Sequence, residues 1–390
     1  MAENVQSLPR HARRLGSVAL QVAIVVAIGA LAYGAIVNAA QNLAHAHIAS
    51  GFGFWNNTAG FDISQTLIAY SASTSTFGRA FWVGFLNTLL VAAIGIVLAT
   101  VLGFIVGIAR LSRNYLVARL AGGYVELIRN VPLLLQLLFW YNAVLKALPE
   151  LRVSLALPGG GLLNNRGLFL PRPEFGPNFS VVLAAAMVGI AAALVLQIFA
   201  RRRRERTGAA TRVLWPTIGI VVALPLAAFV MAGLPLSFSV PHMGRFNVIG
   251  GVEILPEFAA LVLALSVYTA AFIAEVVRAG LLAVSLGQIE AAHALGLRPG
   301  ATLRLVTFPQ ALRVIIPPLT SQYLNLLKNS SLAVAIGYPD LVQIFAGSVL
   351  NITGQAVEVI AITMAVYLTI SLFTSVLMNL YAHSTALVER

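Results

Sequence analysis

The apolar positions of this chain fall in long runs that do not alternate with polar ones. A run of about 20 such residues spans the hydrocarbon of a bilayer. Eight runs approach or exceed that length: 17–38, 81–109, 122–146, 179–200, 213–235, 256–279, 315–337 and 357–381. The weakest is 315–337, which is interrupted by Pro317, Pro318 and Lys328. Unalternating runs of this length predict membrane helices rather than the strands of a barrel. The first is longer than the apolar part of a secretion signal, so it reads as a retained helix. Two connecting stretches, 39–80 and 147–178, are rich in Asn, Gly, Ser and Pro and read as irregular surface. No internal repeat is visible.

Composition agrees with a membrane protein. Of the 390 residues 59% are hydrophobic and only 10% charged, and the mean hydropathy is +0.88, against about 25% charged residues in soluble domains. The net charge of +12 would suit a nucleic-acid binder, but the basic residues cluster at the ends of apolar runs, as orientation signals do. Arg110, Arg113, Arg119, Arg201–Arg204, Arg206, Arg212, Arg278, Arg298, Arg304 and Arg313 fall on one side with the N-terminal Arg10, Arg13 and Arg14, and Arg390 joins them. Arg79, Lys146, Arg152, Arg166, Arg172 and Arg245 fall on the other. The more basic side is the cytoplasmic one, so both termini are expected inside. There is no cysteine, and hence no disulfide or thiolate metal site. His11, His45, His47, His242, His293 and His383 are scattered, so neither a metal nor a catalytic cluster is expected. The chain has no Gly-Lys pair of the kind a phosphate-binding loop needs. If ATP drives it, another subunit binds the ATP.

The most informative stretch is 290–309, EAAHALGLRPGATLRLVTFP. It is polar and basic, yet it lies between two strongly apolar segments on the cytoplasmic side. Glu290, Ala291 and Ala292 start a good helix. Gly296 can end it at positive φ, followed by Leu297. Pro299-Gly300 reads as a turn, and 301–308 as a second short helix stopped by Pro309. The pattern resembles the E-A-A-x3-G-x9-I-x-L-P loop of ABC importer permeases, with Val306 and Phe308 in place of Ile and Leu. The stretches 84–89, 126–133, 268–278 and 327–332 extend the likeness to permeases of polar amino-acid importers over 81–146 and 256–381. A further apolar helix at the start and an insertion at 147–255 make the chain similar to the larger Q-type subunit of general L-amino-acid importers.

That resemblance implies an all-α membrane protein with a type I importer transmembrane domain of about eight helices. Five form the permease core: the first part in 81–146, the second in 256–390 with the coupling loop at 285–309. Residues 1–80 hold the N-terminus, first helix and external loop, and 147–255 two extra helices. The implied activity is passage of polar L-amino acids across the bacterial inner membrane, with no covalent chemistry in this chain. The implied partners are a second related permease, two ATPase subunits that bind ATP and Mg, and a periplasmic binding protein; membrane lipid surrounds it, and no nucleic acid is involved. The rival from another class is a secondary transporter driven by an ion gradient, which would need none of these partners.

Polar groups within the apolar runs are the candidate functional residues, since charges in a bilayer cost about 2.5–3.5 kcal/mol each on insertion scales and so face a bundle interior or cavity. Lys328 lies about 20 Å along its helix from the cytoplasmic end, at 1.5 Å per residue. With Asn329, Ser330 and Ser331 it either lines the path and meets a substrate carboxylate or joins a structural ion pair. Asn87, Thr88, Tyr268 and Thr269 either line the path or pack helices together. Glu126 with Arg129, and Glu275 with Arg278, have i, i+3 spacing and read as helix pairs or parts of a cytoplasmic gate.

Overall fold

The computed structural model describes residues 10–45, 50–208 and 213–385. Arg212, Arg390, His47 and the two expected cytoplasmic chain ends lie outside them. The helices are α1 Arg10–His45, α2 Phe77–Ala109, α3 Tyr115–Asn130, α4 Leu133–Leu138, α5 Phe179–Thr207, α6 Leu214–Met231, α7 Pro256–Leu282, α8 Leu286–Ala294, α9 Pro299–Thr302, α10 Phe308–Asn329, α11 Leu350–Thr353 and α12 Ala356–Thr385. Among the described residues, five are long and apolar enough to cross a membrane: α2, α5, α6, α7 and α12. The predicted run 17–38 lies inside α1.

The run 122–146 is not one helix. It starts earlier, where Asn114 caps α3 by accepting from the backbone N–H of Leu116 and Val117, and it breaks at Val131, which is extended at φ −101°, ψ 127°. Pro132 is the cause, because the residue before a proline is pushed out of the α region. The break frees carbonyls that must find donors in an apolar setting. Buried Gln136 supplies them: its Nε2 donates to Ile128 O at 2.9 Å and Val131 O at 3.0 Å. Past α4 the chain widens into a π-helical turn, Phe139–Leu145.

Pro309 does not stop a helix either. Residues 303–307 form a π turn that runs straight into α10, with Pro309 in its first turn. The wider π winding ahead of it accommodates a residue that has no N–H to donate and whose ring would crowd the preceding turn, so the backbone continues. Past α10, residues Ser330–Ile336 tighten to a 3-10 helix that ends on Gly337.

The chain divides into two compact units, residues 1–138 with 261–390, and residues 139–260. In the first, α2 meets α7 closely at two glycines. A Cβ at Gly103 would lie 2.6 Å from Ile273 Cβ, and one at Gly107 2.8 Å from Ala274 O. At the other end of α2, Phe54, Phe77, Phe81 and Phe345 form a buried aromatic cluster with Trp55 packed against it. The segment from Gly51 to Thr76 that carries Phe54 is tied down by Gly51 N–H donating to Glu358 at 2.5 Å.

The second unit corrects the irregular surface expected for 147–178. Four strands, β1 Leu155–Leu157, β2 Gly161–Asn164, β3 Gly167–Leu170 and β4 Arg172–Phe175, precede α5, and β5 Leu236–Ser239, β6 His242–Met243, β7 Val248–Ile249 and β8 Val252–Ile254 follow α6. The order β1-β2-β3-β8 makes one antiparallel sheet, in which Leu168 pairs with Ile254 and Leu170 with Val252. The Gly and Asn residues that suggested loop are hairpin turns. Gly159 and Gly160 both take positive φ in the three-residue turn 158–160 between β1 and β2, a conformation glycine adopts without steric cost. Asn164 Oδ1 accepts from Arg166 N–H between β2 and β3.

Candidate functional site

The 290–309 motif folds as a helix, a turn and a second helix. Glu290 and Ala291 are exposed on α8, while Ala292 is buried. Gly296 takes φ 78° and closes α8 with a paired C-terminal turn: Leu297 N–H donates to Ala292 O at 3.1 Å and Gly296 N–H to His293 O at 2.9 Å. These two bonds satisfy carbonyls that the helix end leaves open. Leu286 and Leu295 stand 74% and 82% exposed on either side of the motif, and Leu303 and Leu305 beyond them are exposed as well. Leu297 is half-buried and Pro309 exposed.

Lys328 is exposed in the last turn of α10 and, among the described residues, makes no ion pair. Among the described residues, then, no carboxylate of this chain pairs with it. Its neighbours differ. Ser330 is fully buried, and its hydroxyl donates to Leu327 O at 2.7 Å. Ser331 donates to Lys328 O, also at 2.7 Å. Both hydroxyls serve carbonyls at the change from α to 3-10 winding, and Asn329 is half-buried.

Asn87 and Thr88 are wholly buried and clasp the segment after Gly337. Asn87 Nδ2 donates to Pro339 O at 2.8 Å and Gln65 O at 2.9 Å, and Leu341 N–H donates to Thr88 Oγ1 at 3.0 Å. Beside them Asp340, also fully buried, accepts from Gln343 N–H at 2.8 Å and from Tyr367 OH at 3.2 Å. Thr269 is buried and Tyr268 half-buried against Phe272, with ring centroids 5.0 Å apart.

Of the two i, i+3 gate pairs, Glu275–Arg278 forms as spaced, and among the described residues Glu126–Arg129 does not. Arg129 instead lies over the Phe272 ring, 5.1 Å from its centroid. Glu275 holds Arg278 at 2.6 Å and also binds Arg110, at the end of α2. The cross-helix tie is thus Glu275–Arg110, and the sequence reading had assigned Arg110 only to orientation. Gln136 and Asp340 were missed too: one signal was a lone Gln in an apolar run just past a proline, the other an Asp following Gly337-Tyr338-Pro339. Glu275→Gln keeps the shape but leaves two guanidinium groups facing each other. Loss of a charged hydrogen bond of this kind is expected to cost about 2 kcal/mol, read as a lower melting midpoint of the purified chain.

A family model described as binding-protein-dependent transport system inner membrane component matches residues 99–387. The chain is 50% identical to the general L-amino acid transport system permease protein AapQ of Rhizobium johnstonii, over 96% of this chain and 93% of that protein. It is 51% identical to the putative amino-acid ABC transporter permease protein YhdX of Escherichia coli, over 95% and 94%. It is 42% identical to the glutamate/glutamine/aspartate/asparagine transport system permease protein BztB of Rhodobacter capsulatus, over 97% and 95%.

Proposed function

Because the chain belongs to the binding-protein-dependent transport system inner membrane components, we propose that it is one permease subunit of an ATP-driven importer of polar L-amino acids. A related permease chain completes the pore in the inner membrane. A periplasmic protein delivers substrate from outside, and two ATPase subunits dock below and bind the ATP and Mg. The three relatives act on amino acids by name, and the high coverage of both chains carries the substrate class here.

The observation that supports coupling most directly is the surface of 286–305. Four leucines stand exposed on a polar loop whose turn is fixed by Gly296. Exposed apolar side chains on a rigid frame are what a partner groove needs. Closure of the ATPases then pushes on α8 and, through the continuous run 299–329, on α10, at whose far end Lys328 lies. The chain's own residues bind and move; none of them transfers a group.

Reconstitution tests this. The chain with its partner subunits in liposomes should take up amino acid only with ATP inside and binding protein outside. An ionophore should leave the rate unchanged. Uptake that collapses with the ionophore and ignores ATP would replace this reading by the ion-driven one.

Orientation has its own test. Cysteine at Arg204, exposed near the end of α5, should resist an impermeant thiol reagent in intact cells, whereas cysteine at Glu174, exposed on β4, should react. Asn164 in the same outer segment is buried, with its Nδ2 on Ser154 Oγ at 3.0 Å, and is unsuited to the purpose. Labelling of Arg204→Cys alone would invert the topology.

A further inference from the structure

Two cavities meet at Leu111, in the turn from α2 to α3. One, of about 640 Å³, is polar and is lined by Arg110, Arg119, Gly122, Gly123, Glu126 and Arg278. The other, of about 480 Å³, is mainly apolar and includes Ile108, Val117, Leu281, Leu303 and Phe308. Leu111 lines both.

The charges of the polar cavity are only partly used. Arg110 and Arg278 share the single carboxylate of Glu275. Arg119 is exposed and, among the described residues, has no ion-pair partner; the same holds for Glu126. Arg119 and Glu126 stand two turns apart along α3, about 10 Å at 1.5 Å per residue. The wall therefore offers a cationic end and an anionic end to a ligand that carries both charges. Gly122 and Gly123 are unusual inside a helix, where glycine weakens the fold. Packing does not require them: a Cβ at either would meet no atom within 4 Å. Their effect is to keep the cavity open.

We propose that the two cavities together hold one glycerophospholipid with an amine-bearing head group. Its phosphate meets Arg119, with Arg110 and Arg278 alongside, because guanidinium groups match phosphate oxygens in pairs. Its ammonium meets Glu126. One acyl chain fills the apolar cavity against Leu303 and Phe308. Basic pockets between membrane helices on the cytoplasmic side suit phospholipid head groups, and the apolar cavity that shares Leu111 is what a soluble phosphate ester would leave empty. Leu303 and Phe308 belong to the segment that joins the coupling loop to α10, so the bound lipid would brace that segment. This inference needs the membrane placement proposed above but not the amino-acid substrate.

The full-length chain, purified in detergent and stripped of lipid, should be titrated with phosphatidylethanolamine, phosphatidylglycerol or phosphatidylcholine. Native mass spectrometry and melting midpoints give the readout. A single phosphatidylethanolamine should be retained and raise the midpoint, and the other two should be retained poorly. Arg119→Gln removes the free guanidinium, and loss of a charge-assisted pair is expected to lower occupancy about tenfold. Gly122→Leu fills the polar cavity without changing charge and should do the same, while Arg202→Gln, away from both cavities, should change nothing. Equal retention of all three lipids, or undiminished retention by both Arg119→Gln and Gly122→Leu, would overturn the proposal. So would an equal rise in midpoint with soluble glycerophosphoethanolamine, which would assign the polar cavity to a free solute. Retention unaffected by these variants leaves the transport reading standing, so the two fail separately.

Discussion

Gly296→Val is expected to remove most amino-acid uptake while leaving the chain inserted in the membrane. The residue sits at φ 78°, where a side chain costs roughly 1–2 kcal/mol and a β-branched one is least tolerated. Nothing lies within 4 Å of a Cβ there, so the penalty is in the backbone alone. The strain is relieved by giving up the two bonds that close α8, from Leu297 to Ala292 and from Gly296 to His293. Leu295 then leaves the position in which the turn presents it. A penalty of that size corresponds to about a tenfold loss of the docking-competent form. Gly296→Asp separates geometry from charge, because Asp accepts positive φ more readily but adds a negative charge to the same surface. Uptake and ATPase co-purification should be measured at matched expression. Full uptake in both variants would remove 286–308 from the docking role.

Lys328→Met should have a comparable effect for a different reason. Met keeps roughly the length of the side chain and loses the charge. Lys328 is exposed and has no ion-pair partner among the described residues of its own chain, so the isolated subunit should melt as the parent does. If the ammonium meets the substrate carboxylate, removing one member of a charged pair costs about 2–5 kcal/mol. Uptake then falls at least about thirtyfold while basal ATP hydrolysis persists. The competing outcome is that Lys328 pairs with a carboxylate of another subunit. Breaking a buried pair costs about 3–5 kcal/mol, and the assembled complex, not the subunit, would fall apart. Substrate binding and complex stability should be read on one preparation. A loosened complex that still binds substrate would place Lys328 at a subunit boundary.

Periodicity and punctuation made much of this fold legible. The long apolar runs marked α2, α5, α6, α7 and α12, and the 290–309 pattern placed a helix ended by Gly296 and, with 84–89, 126–133, 268–278 and 327–332, the family. What stayed hidden depends on contacts distant in sequence. The break at Val131 was signalled by Pro132, but the apolar residues on both sides masked it. Pro309 looked like a stop because a π turn ahead of it leaves no mark in residue type. The hairpins of β1, β2 and β3 were masked by their turn-forming Gly and Asn residues, and β8 escaped because it pairs with β3 across two helices, a register no local window contains. Arg110 serves Glu275 and Asn87 serves Pro339, each more than 150 residues away. Sequence spacing favoured Glu126 with Arg129 because that pair is local; packing chose Phe272 for Arg129.

The register of β3 with β8 has a consequence for how such a chain can change length. Leu170 and Val252 face each other across the sheet, with Cα atoms about 5 Å apart as antiparallel neighbours are. Everything between them, including α5 and α6, leaves and returns at one place. A short turn could join the two strands directly, and cutting out 171–251 would remove two apolar helices together. The chain on either side would keep its sidedness, because removing two passages leaves the direction of the next one unchanged. The insertion is thus detachable in the manner of a cassette, and a lineage can gain or lose it in one event without rethreading the remainder.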